Sequence, residues 1–463
     1  MTFGRPLGYA AALVGTLVTA ACKDLNVPDY NNPSLEDLLT NPTRTKLAAA
    51  AQGLLVGTRA GYGAPNGYVS LLGILGRESY NFDAADPRFV TEMLEGQLNG
   101  GSPAFGGNLW GNPYANIRNA HVLMQAAEDA ASLTTAEREA IRGFAKTIQA
   151  LDFLNIINTR DTYGAPIAVN QPATADPAPI ATKAEVFAYI VALLDSARTH
   201  LQAGGAAFPF SLSSGFAGFD TPSTFLQFNR ALKARVDVYM GNYSAALTSL
   251  GGSFLSTSAP LTLGVYHTYS TGSGDATNGI FDPTAADILA HPSISTDAQL
   301  RADLTKDLRF QQKVVTLADP RTVRGITTQL AFNIYPTNVT PIPIIRNEEL
   351  ILLRAEANLG LNTPAGDAAA LTDINFIRTT SGGLQPILAA SWNTMSNTQQ
   401  LDELLYNKRY SLLFEGGHRW IDMRRYNRLT QLPLDLPAHR RNDKFPFPLD
   451  ECNARDPKPA QGC

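Results

Sequence analysis

The sequence predicts a mainly α-helical fold of paired helices, with long irregular insertions and a few short strands. Three observations lead there. Apolar residues recur every three or four positions over most of the chain, and two such runs open with a capping box, Thr134-x-x-Glu137 and Thr182-x-x-Glu185. Two stretches, Ala231 to Leu247 and Ala355 to Leu371, share one outline: a helix, a short turn, then an Ala-rich second helix. Between them, residues 251–345 are rich in Ser, Thr, Gly, Pro and Asp and show little helical period.

With 463 residues, 44% hydrophobic and 17% charged, the chain has the balance of a large globular protein. Its net charge of −4 argues against a nucleic-acid surface, which needs a basic stripe.

Residues 1–21 read as an export signal. Arg5 is the only charge before Lys23, and Leu7 to Ala21 is apolar but short for a bilayer span. The run Thr19-Ala20-Ala21-Cys22 resembles a bacterial lipobox, so Cys22 is the expected lipidation site and 22–40 a polar tether. An ordinary signal peptide that ends at a cysteine is the alternative. With Cys22 acylated, Cys452 and Cys463 remain as an even pair in an oxidising compartment. A disulfide would close the loop between them; two free thiols are the other reading.

Residues 41–463 read as one domain. Asn41-Pro42 opens a helix to about Arg59, with Leu47, Ala50, Ala51, Leu54 and Leu55 along one stripe. A short helix covers about Tyr68 to Glu78. Residues 79–109 look irregular, and a helix resumes near Asn112 and runs to about Ala130. The Thr134 box opens a helix to near Asp161 that turns Ile141, Phe144, Ala145, Ile148 and Leu151 inward. The Thr182 box opens another, with Val186, Tyr189, Ile190, Leu193, Leu194 and Ala197 at helical spacing. Helices are then expected at 222–240 and 244–250, joined by Gly241-Asn242-Tyr243 in the manner of a tetratricopeptide hairpin. Within the insertion 251–345, Leu300 to Arg309 is expected to hold a turn or two of helix, and Thr340 to Ile345 looks extended.

Near the C-terminus, Asp402 to Tyr426 reads as a helix, a glycine hinge and a second short helix. Leu404, Leu405, Leu412 and Leu413 share one helix face, and Arg409 falls among them, where a charge needs a partner. Glu356 interrupts an apolar stripe in the same way on the helix that begins at Asn347. Arg409 is therefore expected to meet Glu356, or else Glu415. Gly416-Gly417 is expected to cap the first helix. Arg419, Trp420 and Asp422 follow, and read as a buried ionic and aromatic staple, because no nucleophile or metal-ligand pair accompanies them.

Phe414-Glu415-Gly416, Arg419-Trp420, Asp422 and Arg424-Arg425 resemble the C-terminal signature of the SusD/RagB family of outer-membrane nutrient-binding lipoproteins. The upstream block Asn347 to Arg378 and the downstream KFPFPLD, Lys444 to Asp450, are similar to the family in the same order. The resemblance implies a SusD-like α/α superhelix of four tetratricopeptide-like helix pairs with loops and short strands over one side. It implies a lipid anchor at the cell surface of the outer membrane, a SusC-type TonB-dependent transporter as partner, and an oligosaccharide or other nutrient as ligand. No cofactor or metal is expected.

No catalytic constellation stands out. The six histidines are scattered, and HExxH, Gly-x-Ser-x-Gly and phosphate-loop patterns are absent from the sequence. The irregular segments instead set aromatic rings beside short polar residues, which suits sugars that stack on rings and bond through their hydroxyls. Tyr80, Asn81 and Asp83, supported by Arg77, are the first candidate ligand contacts, followed by Trp110, Tyr266 and Tyr269. Tyr80 is expected to be partly exposed, on a concave surface shared with residues 251–345. A nutrient-binding lipoprotein is thus the leading expectation. A helical-repeat scaffold for protein partners is the alternative, and an exported hydrolase the third reading.

Overall fold

The computed structural model describes residues 35–102, 105, 107–172, 174–281 and 287–463; the export signal, Cys22 and most of the tether lie outside them. After α1 (Leu35–Thr40), α2 (Arg44–Arg59) starts behind Thr43, whose hydroxyl accepts the Lys46 amide at 3.3 Å. α3 (Tyr68–Leu75) ends early, because Gly76 and then Arg77, at φ +56°, turn the chain out of the helix. α4 (Asn108–Asp129), α5 (Thr135–Arg160) and α6 (Lys183–Ala203) follow. Both capping boxes form: the Glu137 amide donates to Thr134 Oγ1 at 3.2 Å, and the Glu185 amide to Thr182 Oγ1 at 3.3 Å.

α7 (Pro222–Met240) closes on Gly241, and α8 (Tyr243–Gly251) returns along it. Gly241 sits at φ +76°, the left-handed conformation that lets a hairpin reverse in so few residues. α9 (Asn347–Gly360), α10 (Pro364–Thr380), α11 (Asn397–Ser411) and α12 (His418–Arg425) complete the frame. From α4 onward each helix packs on the next as far as α10, with α2 against α4 and α11 against α9. That stack is the paired-helix superhelix expected from the sequence.

The insertions are more ordered than their composition suggests. β1 (Ser79–Asn81), β5 (Ile288–Ala290), β6 (Val314–Val323) and β7 (Ile326–Phe332) form an antiparallel sheet in the order β1-β5-β7-β6. Two short pairs accompany it: β2 (Ala165–Pro166) with β3 (Ile180–Ala181), and β4 (Gly264–His267) with β8 (Ile342–Arg346). The two insertions thus meet directly, Tyr80 lying opposite Leu289. The helix expected within Leu300–Arg309 forms later, at Leu308–Lys313, where the Asp307 carboxylate caps it by accepting the Arg309 amide at 2.9 Å.

The C-terminal hinge also differs from expectation. α11 ends at Ser411, and Gly417, at φ +70°, begins α12 instead of capping α11. Phe414 itself takes a left-handed φ of +56°, and its ring stacks on Phe332 at 4.2 Å. Arg409 meets neither Glu356 nor Glu415. It is buried, and its guanidinium reaches Asp297 at 2.6 Å and Ser293 at 2.7 Å. Its chain neighbour Lys408 is the partner of Glu356 (2.7 Å) and also of Asp422 (2.7 Å). One residue is about 100° of helix rotation, enough to exchange the two roles. Arg425 bridges Glu356 and Asp422 from the other side, each at 2.9 Å, and the Tyr426 hydroxyl donates to Glu356 at 2.8 Å. Burial alone would raise the Glu356 carboxyl, but Lys408 and Arg425 outweigh it and hold it at about 2.

Glu415 instead takes Arg346 at 2.8 Å and Lys313 at 3.1 Å. Arg419 donates to the Gly76 carbonyl at 3.1 Å, and the sealed Trp420 donates its indole N–H to Asn442 O at 2.9 Å. Cys452 and Cys463 are joined in a disulfide with their Cα atoms 5.9 Å apart.

Candidate functional site

The sequence-derived ligand residues do not converge on one surface. Tyr80 is fully buried, 0% exposed, its ring stacked on Phe82 at 5.4 Å and leaning on His291 at 4.9 Å. It belongs to the core under the four-stranded sheet, and this removes it from the candidates. Asn81 is buried as well, and its side-chain oxygen accepts the Asp83 amide at 2.9 Å. Asp83 is half-buried and accepts the Ala85 amide at 2.8 Å, so both side chains shape the loop. Arg77 is sealed, and it caps main-chain carbonyls of Ile74 (3.1 Å), Pro433 (3.2 Å) and Arg440 (2.6 Å). Burial pushes its guanidinium down to about 10. Trp110 is buried against Tyr114 and Phe447.

Tyr266 and Tyr269 lie elsewhere, on β4 and the loop after it. Burial alternates along β4, so Val265 and His267 point into the core while Tyr266 is half-exposed. Tyr269 is buried, and its ring carries the Arg59 guanidinium 5.4 Å from the centroid. Arg59 is the last residue of α2 and pairs with Asp275 from the loop. That loop is closed on itself: Ser270 Oγ donates to Asp275 at 2.7 Å, and the Ser270 amide to the Ala276 carbonyl at 3.1 Å.

The Arg59–Asp275 bridge stands between two cavities. One, about 230 Å3, is lined by Gln52, Arg59, Ser213, Tyr266, Ser273 and Asp275 among others. The second, about 260 Å3, lies past Arg59 and Tyr269, beside Pro65 and Thr277. Each is just under the usual ligand-pocket range of about 300–1,000 Å3, and they share Val56, an exposed apolar residue, and Arg59. His267 at the back of the first is pushed down to about 3, by burial first and then by Arg59, and is neutral near pH 7. The groove therefore offers an aromatic ring, an ion pair and several short hydroxyl and amide groups. Among the described residues, no group of three His, Cys, Asp or Glu could hold a metal ion.

Arg59, Gln52 and Asp275 escaped the sequence reading. Arg59 and Asp275 are 216 residues apart, and nothing local to either marks the pairing.

The SusD family model matches residues 329–451, which hold β8, α9–α12 and the staple. No curated protein sequence matches the chain. Among solved structures, a SusD superfamily protein from Bacteroides vulgatus superposes with a TM-score of 0.68 at 15% identity, covering 91% of this chain and 99% of its own. A SusD-like carbohydrate-binding protein from Bacteroides fragilis gives 0.68 at 12% identity, covering 89% and 98%. A laminarin-binding SusD-like protein gives 0.61 at 16% identity, covering 88% and 97%.

Proposed function

Because the SusD family model matches residues 329–451 and the fold is SusD-like over nearly the whole chain, we propose that this is a SusD-family protein, a glycan-binding lipoprotein of the outer-membrane surface. On this reading it is anchored through Cys22 and hands its ligand to a SusC-type TonB-dependent transporter. The observation that carries the reading is the pairing of a SusD-like fold over nearly the whole chain with the Tyr266–Arg59–Asp275 groove. A half-exposed ring suits the apolar face of a sugar, and Gln52, Ser273 and Asp275 suit its hydroxyls. The laminarin-binding and carbohydrate-binding neighbours support the ligand class. No helix among the described residues is long and apolar enough to cross a membrane; the Thr19-Ala20-Ala21-Cys22 run supports attachment through a lipidated Cys22. That anchor needs more than one acyl chain to be stable.

Affinity electrophoresis against a panel of polysaccharides that includes laminarin tests the reading. Retardation by at least one glycan is expected, reduced at least fivefold by Tyr266→Ala, with no new cleavage products after incubation. A protein that ignores every glycan, yet captures protein partners through its helical face, would be the scaffold instead.

A further inference from the structure

Trp110 lines a separate cavity of about 280 Å3. It opens between α4, the connection that follows β2, and the helical turn Leu449–Asn453. Its floor is aromatic: the Trp110 and Tyr114 rings lie 4.7 Å apart, and the Tyr114 hydroxyl is already committed to the Pro166 carbonyl at 2.7 Å. The Trp110 ring is only 6% exposed and also carries the Arg160 guanidinium 5.2 Å from its centroid, so the half-buried Tyr114 ring supplies the more open part of that floor.

The charged groups on its wall are Arg118, Arg455 and Glu451. Arg455 is satisfied, donating Nε to Glu451 at 3.0 Å and Nη1 to the Ala178 carbonyl at 2.8 Å. Arg118 has no carboxylate partner among the described residues. Its Nη1 spans the carbonyls of Val169 and Gln171, each at 3.0 Å. Its Nε and Nη2 make no bond and are not sealed from solvent. One nitrogen thus fixes the guanidinium in place, and the other two keep the forked edge that matches a carboxylate. An arginine that served only to tie down the loop would leave that edge without purpose beside an aromatic floor.

We propose that this cavity binds a carboxylate-bearing sugar ring, a uronate, with the ring on Trp110 and Tyr114 and the carboxylate on the Nε–Nη2 edge of Arg118. The site is distinct from the Tyr266 groove. It rests on the reading of the chain as a glycan binder and adds the chemical class of one ligand. Two arginines against one glutamate give the wall a net positive charge, which favours an acidic sugar over a neutral one.

The test is calorimetric titration of the full-length protein in detergent with tri-galacturonate and with its methyl ester. The acid is expected to bind and the ester to bind at least tenfold more weakly. Arg118→Gln should cost at least tenfold for the acid. Because that change also loosens the loop, Ala168→Asp is the second variant: it sets a negative charge on the cavity wall without removing a bond of Arg118. It too should cost at least tenfold. Equal binding of acid and ester, no binding of the acid, or insensitivity to both Arg118→Gln and Ala168→Asp would each overturn the proposal. Retained binding of neutral laminarin alongside any of these would sink this site alone; loss of every glycan would sink the glycan reading as well.

Discussion

Lys408→Met and Arg409→Ala are adjacent substitutions with very different expected costs. Lys408, Glu356, Asp422 and Arg425 form a buried quartet of two positive and two negative groups, each side chain 10% exposed or less. Removing Lys408 leaves two carboxylates facing one guanidinium, out of reach of water. Breaking a buried pair in this way costs about 3–5 kcal/mol. Unfolding entropy is near 2 cal/mol/K per residue, so a chain of this length loses only about 1 °C per kcal/mol, and Tm should fall by about 3–5 °C. Arg409 is buried too, but its partner Asp297 is 49% exposed and can rehydrate when the guanidinium is gone. Arg419 is held down at about 9, by burial first and then by repulsion from Arg409, so deleting Arg409 also relieves a like-charge contact. Arg409→Ala should therefore cost about 1–2 kcal/mol, within the ordinary range of single substitutions. Differential scanning calorimetry on both variants decides the matter, with Glu356→Gln added to Lys408→Met expected to restore part of the loss. If Arg409→Ala lowers Tm as much as Lys408→Met does, the assignment of the quartet is wrong.

Asp152 gives a pH-dependent test. Burial first, against the Asn116 and Thr58 hydrogen bonds, raises its carboxyl from 3.8 to about 8. The folded state then binds a proton that the unfolded chain releases, so stability is fullest below about pH 4 and is lost as pH rises through 8, by about 1.4 kcal/mol per unit at most. Asp152→Asn should flatten the fall in unfolding free energy, read from urea melts, between pH 6 and 8 by about 2 kcal/mol; parallel profiles for the two proteins would refute a neutral Asp152. Tyr266→Ala is expected to weaken glycan retention at least fivefold with Tm within about 1 °C of the parent, since a stacking contact is worth on the order of 1 kcal/mol beyond its area; undiminished retention would move the ligand out of this groove. Cys22→Ala should shift the protein from the membrane to the soluble fraction, and an unchanged distribution would rule out the lipid anchor.

The helical frame was legible because its signals are local. Thr134-x-x-Glu137 and Thr182-x-x-Glu185 announce their helices within four residues, and Gly241 announces its turn by itself. β1 was not legible. All three of its residues are buried, so it lacks the alternation that marks a strand with one solvated face. Tyr80 among Ser, Asn and Asp looked like a loop ring, yet β5, more than 200 positions later in the chain, covers it. Arg409 was correctly placed on an inward face but mispaired, because periodicity fixes a face only to within a residue or so. The groove was half legible: Tyr266 and Tyr269 stood out as aromatics in a polar insertion, while Arg59 at a helix end carried no mark of its loop partner.

Arg77 has a consequence for how the protein matures. Two of the carbonyls that satisfy its sealed guanidinium belong to Pro433 and Arg440, 356 and 363 residues downstream. β1, two residues beyond it, has no partner until Ile288–Ala290 exists. A chain leaving the ribosome or a translocation pore thus exposes an open strand until Ile288–Ala290 arrives, and an incompletely matched cation until Pro433 and Arg440 do. Long-range closure of this kind is slow and leaves the waiting surface open to aggregation. A product truncated before residue 433 lacks both carbonyls, so premature termination yields a chain that cannot close around Arg77 and stays open to proteases.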